Sequence, residues 1–81
     1  MNVEVLFFAR LRELTGTGSA RLELPARSQV ADAMEKLVEL YPQLSESLGC
    51  CRIALNEEFA SSEAELSADA VLAVIPPVSG G

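Results

Sequence analysis

The residues best placed to do chemistry close the sequence: Ile75-Pro76-Pro77-Val78-Ser79-Gly80-Gly81. A glycine pair is a poor finish for a packed domain, because glycine buries no side chain and loses the most backbone entropy when ordered. It is well suited to presenting a terminal carboxylate through a channel too narrow for other side chains. The prolines hold the exit stiff and extended, since Pro fixes its own φ and pushes its predecessor out of the helical region. The stretch from Pro76 to Gly81 spans roughly 20 Å at ~3.3 Å per residue, enough to bury its tip in another protein's active site. Chain ends are commonly disordered. The signal here is the combination of an apolar strand, a Pro-Pro pair and Gly-Gly.

Other candidates for chemistry are few. Histidine is absent, which removes the commonest general base and metal ligand. The two cysteines, Cys50 and Cys51, are adjacent. A disulfide between neighbours is strained, and two ligands alone do not make a zinc site, so they read as structural thiols and no metal site is expected. With 81 residues, 49% of them hydrophobic, the chain supports one domain with a modest core. Its formal charge of −6 argues against nucleic-acid binding, which needs Lys and Arg on phosphates. That charge favours a basic protein partner, or serves solubility alone. No run approaches the ~18 apolar residues of a membrane span. The opening Met1-Asn2-Val3-Glu4 lacks the flank and apolar stretch of a signal peptide, so the expected location is cytoplasmic. Such a chain is not expected to be an enzyme by itself.

The elements that must position the tail follow from periodicity. Val3 to Ala9 reads as a strand. Val3, Val5 and Phe7 would face a core, while Glu4, Leu6, Phe8 and Arg10 would face the other way. Leu6 and Phe8 make that second face apolar, which suits an interface. Arg12 to Leu14 forms a helical turn, Thr15 to Ser19 a loop, and Arg21 to Leu24 a second strand with Leu22 and Leu24 inward. Ser28 is the expected N-cap of a helix from Gln29 to Tyr41. Val30, Ala33, Met34, Leu37, Val38 and Tyr41 form its buried stripe, and Pro42 stops it. Asp32, Glu35, Lys36 and Glu39 take the solvated side. Leu44 to Leu48 adds a turn of helix closed by Gly49. Cys51 to Leu55 and Glu58 to Ala60 are strands around an Asn56-Glu57 turn. Ser61 to Asp69 is polar loop anchored by Leu66. Ala70 to Ile75 is the last strand, with Leu72 and Val74 toward the helix and Ala73 and Ile75 on the open face.

The order β-β-α-β-β-β predicts an α+β fold of the ubiquitin-like β-grasp type: a mixed five-stranded sheet packed on one main helix. Its first and last strands lie parallel and adjacent, which needs the crossover that the helix supplies. The expected organisation is a β-grasp domain over residues 1–75 and an extended, flexible Gly-Gly tail over 76–81. Patch and tail would form one docking surface.

The run Val5-Leu6-Phe7-Phe8-Ala9-Arg10-Leu11-Arg12-Glu13-Leu14-Thr15-Gly16, the Ala54-Leu55-Asn56 strand-turn and the ending Pro76-Pro77-Val78-Ser79-Gly80-Gly81 resemble the small subunits of molybdopterin synthase. The resemblance covers essentially the whole chain. It implies a sulfur carrier whose Gly81 carboxylate is adenylated by an ATP-dependent, E1-like activating enzyme and converted to a thiocarboxylate. That group would enter the large subunit of molybdopterin synthase and give its sulfur to cyclic pyranopterin monophosphate. Two such transfers build the dithiolene that holds molybdenum, in a heterotetramer of two small and two large subunits. No cofactor is bound by the carrier, and ATP is used by the activating enzyme.

The residues agree with that chemistry. A carboxylate repels nucleophiles and lacks a leaving group; adenylation provides one, and sulfur can then displace AMP. Gly81 contributes the carboxyl group, Gly80 clearance, and Pro76, Pro77, Val78 and Ser79 the insertion path. The family's apolar contacts map onto Phe8, Phe59 and Ile75, while Arg10 and Arg12 could pair with acidic groups on a partner. Cys50-Cys51 falls outside the family pattern and has no assigned role. Three other readings stay open: a thiamine-pathway sulfur carrier, a ubiquitin-like modifier joined to lysines, and an interaction module without covalent chemistry.

Overall fold

The computed structural model describes residues 1–77, so Val78, Ser79, Gly80 and Gly81 lie outside the described residues. Five strands form one mixed sheet: β1 (Asn2–Phe7), β2 (Ser19–Glu23), β3 (Arg52–Leu55), β4 (Glu58–Phe59) and β5 (Val71–Ile75), in the spatial order β2-β1-β5-β3-β4. Two helices accompany it, α1 (Ala9–Thr15) and α2 (Val30–Leu40), together with 3-10 turns at Pro42–Leu44 and Leu48–Cys50. This is the β-grasp arrangement. β1 runs parallel to β5, with Val5 beside Leu72 and Phe7 beside Val74, while the other pairings are antiparallel.

Period-two alternation divides the sheet. Val3, Val5, Phe7, Leu22, Leu72 and Val74 point to one face and are buried with Val30, Ala33 and Leu37 of α2. Leu44 and Leu66 close the ends of this core. Tyr41 meets Phe7 edge to face, ring centroids 5.8 Å apart. The solvated side of α2 carries Asp32, Glu35 and Glu39.

Several boundaries differ from the sequence reading, each for a local reason. β1 stops at Phe7 rather than Ala9, because Ala9 turns to φ 50° and starts α1. That helix is longer than the expected turn, with seven residues ended by Gly16 at φ 75°. The Gly16 N–H donates to the Arg12 carbonyl at 3.0 Å, a left-handed helix ending that glycine adopts without strain. Strand β2 begins at Ser19, earlier than Arg21, since the Phe7 N–H already reaches the Gly18 carbonyl at 2.9 Å.

Ser28 does not cap α2. Its hydroxyl donates to the Pro25 carbonyl at 2.8 Å, and Gln29 takes the cap position, its N–H donating to an Asp32 carboxylate oxygen at 2.7 Å. The first free N–H groups of α2 find partners in the segment 61–69: Val30 donates to the Ala64 carbonyl and Ala31 to that of Ser62, both at 2.9 Å. That segment therefore clamps the helix start as well as anchoring Leu66.

The continuous helical turn expected over Leu44 to Leu48 is replaced by the two separate 3-10 turns, and Gly49 sits inside the second instead of closing the first. Asn56 and Glu57 both have positive φ, 50° and 73°, the hairpin geometry whose twist matches its strands. Asn56 also exchanges hydrogen bonds with Val71, its N–H donating at 2.8 Å and its side-chain oxygen accepting at 2.9 Å, which ties the hairpin to β5.

Truncating Leu72, fully buried at the sheet centre, is expected to cost about 2–5 kcal/mol through lost burial and a cavity. Urea unfolding of Leu72→Ala measures it; a loss under 1 kcal/mol, the scale of an exposed substitution, would contradict this core.

Candidate functional site

Among the described residues no helix lies across the second face of the sheet. Register places Leu6, Ala73, Ala54 and Phe59 in one row across β1, β5, β3 and β4. Ala54 is buried yet stands apart from the main core cluster, consistent with its place on this face. One step beyond the last β1–β5 pair, Phe8 keeps an extended backbone (φ −124°, ψ 155°) and falls beside Ile75. Ile75 in turn lies opposite Arg52 of β3. The next residues of the chain are Pro76 and Pro77, so the root of the tail leaves from the rim of this patch.

The apolar residues singled out in the sequence are thus brought to one face. Phe8 is 46% exposed and Phe59 63%, both large rings open to solvent, and Ile75 is half-buried between them. Phe7, by contrast, is core. The two arginines part company. Arg10 borders a groove with Glu46, Cys50, Cys51, Pro76 and Pro77. Arg12 instead packs its guanidinium over Gly18, where an added Cβ would sit 3.5 Å from its Cζ. The tail positions Val78, Ser79, Gly80 and Gly81 lie outside the described residues.

Arg52 escaped the sequence reading. Its Cζ stands 4.1 Å from the centroid of the Phe59 ring, a cation–π stack. The signal was available: alternation through Arg52-Ile53-Ala54-Leu55 puts Arg52 on the same face as Ala54. The charge expectation also sharpens. Asp32, Glu35 and Glu39 project from α2 on the far side of the sheet, whereas the charged residue beside Ile75 is Arg52.

Among the described residues no cluster of three or more His, Cys, Asp or Glu could hold a metal ion, and no helix is long and apolar enough to cross a membrane. What the register and exposure do give is an apolar face with the root of the tail at its rim.

Comparisons with known proteins meet this geometry. A model of the ThiS family matches residues 5–81. The molybdopterin synthase sulfur carrier subunit of Arabidopsis thaliana is 41% identical over 81 residues, covering 100% of this chain and 84% of that protein. The subunit of the same name from Chlamydomonas reinhardtii is 34% identical, covering 100% of both. Among solved structures, SAMP1 from Haloferax volcanii superposes with a TM-score of 0.92 at 31% identity, over 100% of both chains. One chain of the protein–protein complex of subunits 1 and 2 of the molybdopterin-converting factor from Helicobacter pylori gives a TM-score of 0.73 at 27% identity, again over 100% of both chains.

The two thiols of the groove differ. Cys50 is exposed, while Cys51 is half-buried and its Sγ donates to the Ser47 carbonyl at 3.2 Å. Burial first, and then the neighbouring Cys50, pushes the Cys51 thiol up from its ordinary pKa. Less thiolate at a given pH means slower alkylation. Iodoacetamide at pH 8 should label Cys50 first, with the difference vanishing in urea; equal rates in the folded protein would contradict this placement.

Proposed function

The chain belongs to the ThiS family, and from that premise we propose that it is the sulfur carrier of molybdopterin synthesis. The observation that carries this reading is the full-length likeness to molybdopterin synthase sulfur carrier subunits. The geometry supports it: an open apolar face with the tail root at its rim is what a carrier needs to hold a partner while its end enters that partner.

In this reading an E1-like enzyme uses ATP to adenylate the Gly81 carboxylate. The adenylate makes the carbonyl electrophilic, hydrosulfide adds to form the C–S bond, and AMP leaves with the electron pair of the broken C–O bond. The resulting thiocarboxylate is carried to the large subunit of molybdopterin synthase, where its sulfur passes to cyclic pyranopterin monophosphate. Phe8, Ile75 and Phe59 hold the large subunit, Arg10 beside Pro76 and Pro77 meets acidic groups near the tail's entry, and Pro76 to Gly80 form the insertion path. Arg12, packed over Gly18, has a weaker claim to a partner contact. Catalytic side chains belong to the partners, and the assembly is a heterotetramer.

A second reading has its own support. The likeness to SAMP1, called small archaeal modifier protein 1 in another solved structure, favours a protein modifier that uses the same activated Gly81. Both readings share the activation step and part at the acceptor, a sulfur-requiring pterin or a lysine amine.

Intact mass separates them. After co-expression with the activating enzyme and a sulfur supply, the protein is expected to gain the mass difference between sulfur and oxygen, localised to Gly81 by fragmentation. An unchanged carboxylate would sink the sulfur-carrier reading, and isopeptide-linked target peptides would favour the modifier. Deleting Gly81 is expected to abolish sulfur transfer while residues 1–77 stay folded.

Docking has a separate test. Phe8→Asp places a charge in the patch, and binding to the large subunit should weaken at least about tenfold, or ~1.4 kcal/mol. Because Phe8 is 46% exposed, the melting temperature should hold. Undiminished affinity measured by calorimetry would remove Phe8 from the interface.

A further inference from the structure

Arg52 stands inside the apolar line of the open face. Its neighbour across β3–β5 is Ile75, and its guanidinium covers the Phe59 ring at 4.1 Å. Phe59 belongs to a two-residue edge strand that, among the described residues, pairs with β3 alone, and its ring is 63% exposed. Directly across the ladder it meets Ala54, a side chain too short to brace a ring. The guanidinium lies against the face of that largely exposed ring. A planar, weakly hydrated cation suits this contact, since it stacks on an aromatic face as an ammonium cannot. The aliphatic stem of an arginine, meanwhile, covers apolar surface.

We propose that Arg52 is a positioning residue for partner docking: it fixes Phe59 as a platform and joins that ring to Ile75. A partner then meets one continuous surface running Phe8, Ile75, Arg52, Phe59. The inference rests on the sulfur-carrier reading for the identity of the occupant, the large subunit of molybdopterin synthase. The seat on that subunit is apolar and receives the ring. It needs no carboxylate for Arg52, because the ring face already accommodates the cation, and main-chain carbonyls can accept from its outer N–H groups. That a solved relative is a complex of subunits 1 and 2, and that the tail root adjoins this patch, favour this occupant over a second copy of the chain.

A double-mutant cycle tests the idea, with Kd for the large subunit measured for the unaltered protein, R52Q, F59L and R52Q/F59L. If Arg52 acts through Phe59, R52Q should weaken binding roughly fivefold, the scale of a partly desolvated cation–π contact, and should change little once Phe59 is Leu. In the free protein R52Q should also shift the Phe59 ring resonances while leaving the melting temperature unchanged. Equal losses from R52Q in both backgrounds would mean that Arg52 meets a partner carboxylate directly, which overturns the positioning role. Unchanged affinity or unmoved ring resonances would overturn it too. Failure of the unaltered protein to bind the large subunit would instead overturn the sulfur-carrier reading, and this occupant with it.

Discussion

The parallel pairing of β1 with β5 joins segments from opposite ends of the described chain, and the arrangement of the site depends on it. A tight turn cannot connect parallel neighbours, so the intervening residues must cross over, and α2 does so while covering one face. Parallel direction has a second consequence. Both strands end at the same edge of the sheet, which sets Phe8 beside Ile75 and sends Pro76 and Pro77 away from that same edge. Antiparallel strands would have put the aromatic ring and the tail root at opposite ends. One pairing rule thus creates both the fold and the adjacency of patch to tail.

Parallel strands are usually covered on both faces. Here the core takes Val3, Val5, Phe7, Leu72 and Val74, while among the described residues no helix covers Leu6, Ala73 and Ile75 on the reverse. Helix α1 is too short to cover that face, and α2 is committed to the other. The exposed apolar surface is therefore a product of topology and not of stray substitutions. Such a surface is typical of proteins whose second cover is another protein.

Much of this was legible in the sequence because period-two alternation and the α2 stripe are strong signals. The face assignments of Val5, Leu6, Phe7, Leu72 and Ile75 needed nothing more. The helix cap was not legible: Ser28 is the residue type that fits the cap, but the Pro25 carbonyl takes its hydroxyl and the cap falls to Gln29. The 3-10 turns after Pro42 were missed because short apolar spacing cannot distinguish i→i+3 from i→i+4 bonding. The segment 61–69 reads as polar loop, yet its carbonyls complete the start of α2, a role set by tertiary contact alone. Arg52 was missed for a related reason. A charge in a short strand looks like a solvated residue until its stacking partner on the next strand is known.

Charge and patch divide the work of recognition. The net charge of −6 creates a field that acts before contact and raises encounter rates with basic surfaces. Salt screens that field within about 8 Å under physiological conditions, so it cannot set register. Its acidic stripe on α2 also lies on the far side of the sheet from the patch, and field alone would favour the wrong orientation. Register must come from short-range contact: exposed rings at Phe8 and Phe59, half-buried Ile75 between them, and a cation already matched to an aromatic face. An arginine suits that position because it keeps acidic repulsion away from the patch without demanding an anion in return. In the proposed carrier role, affinity can then be tuned on the face without changing the residues beyond Pro77, and neither need constrains the other.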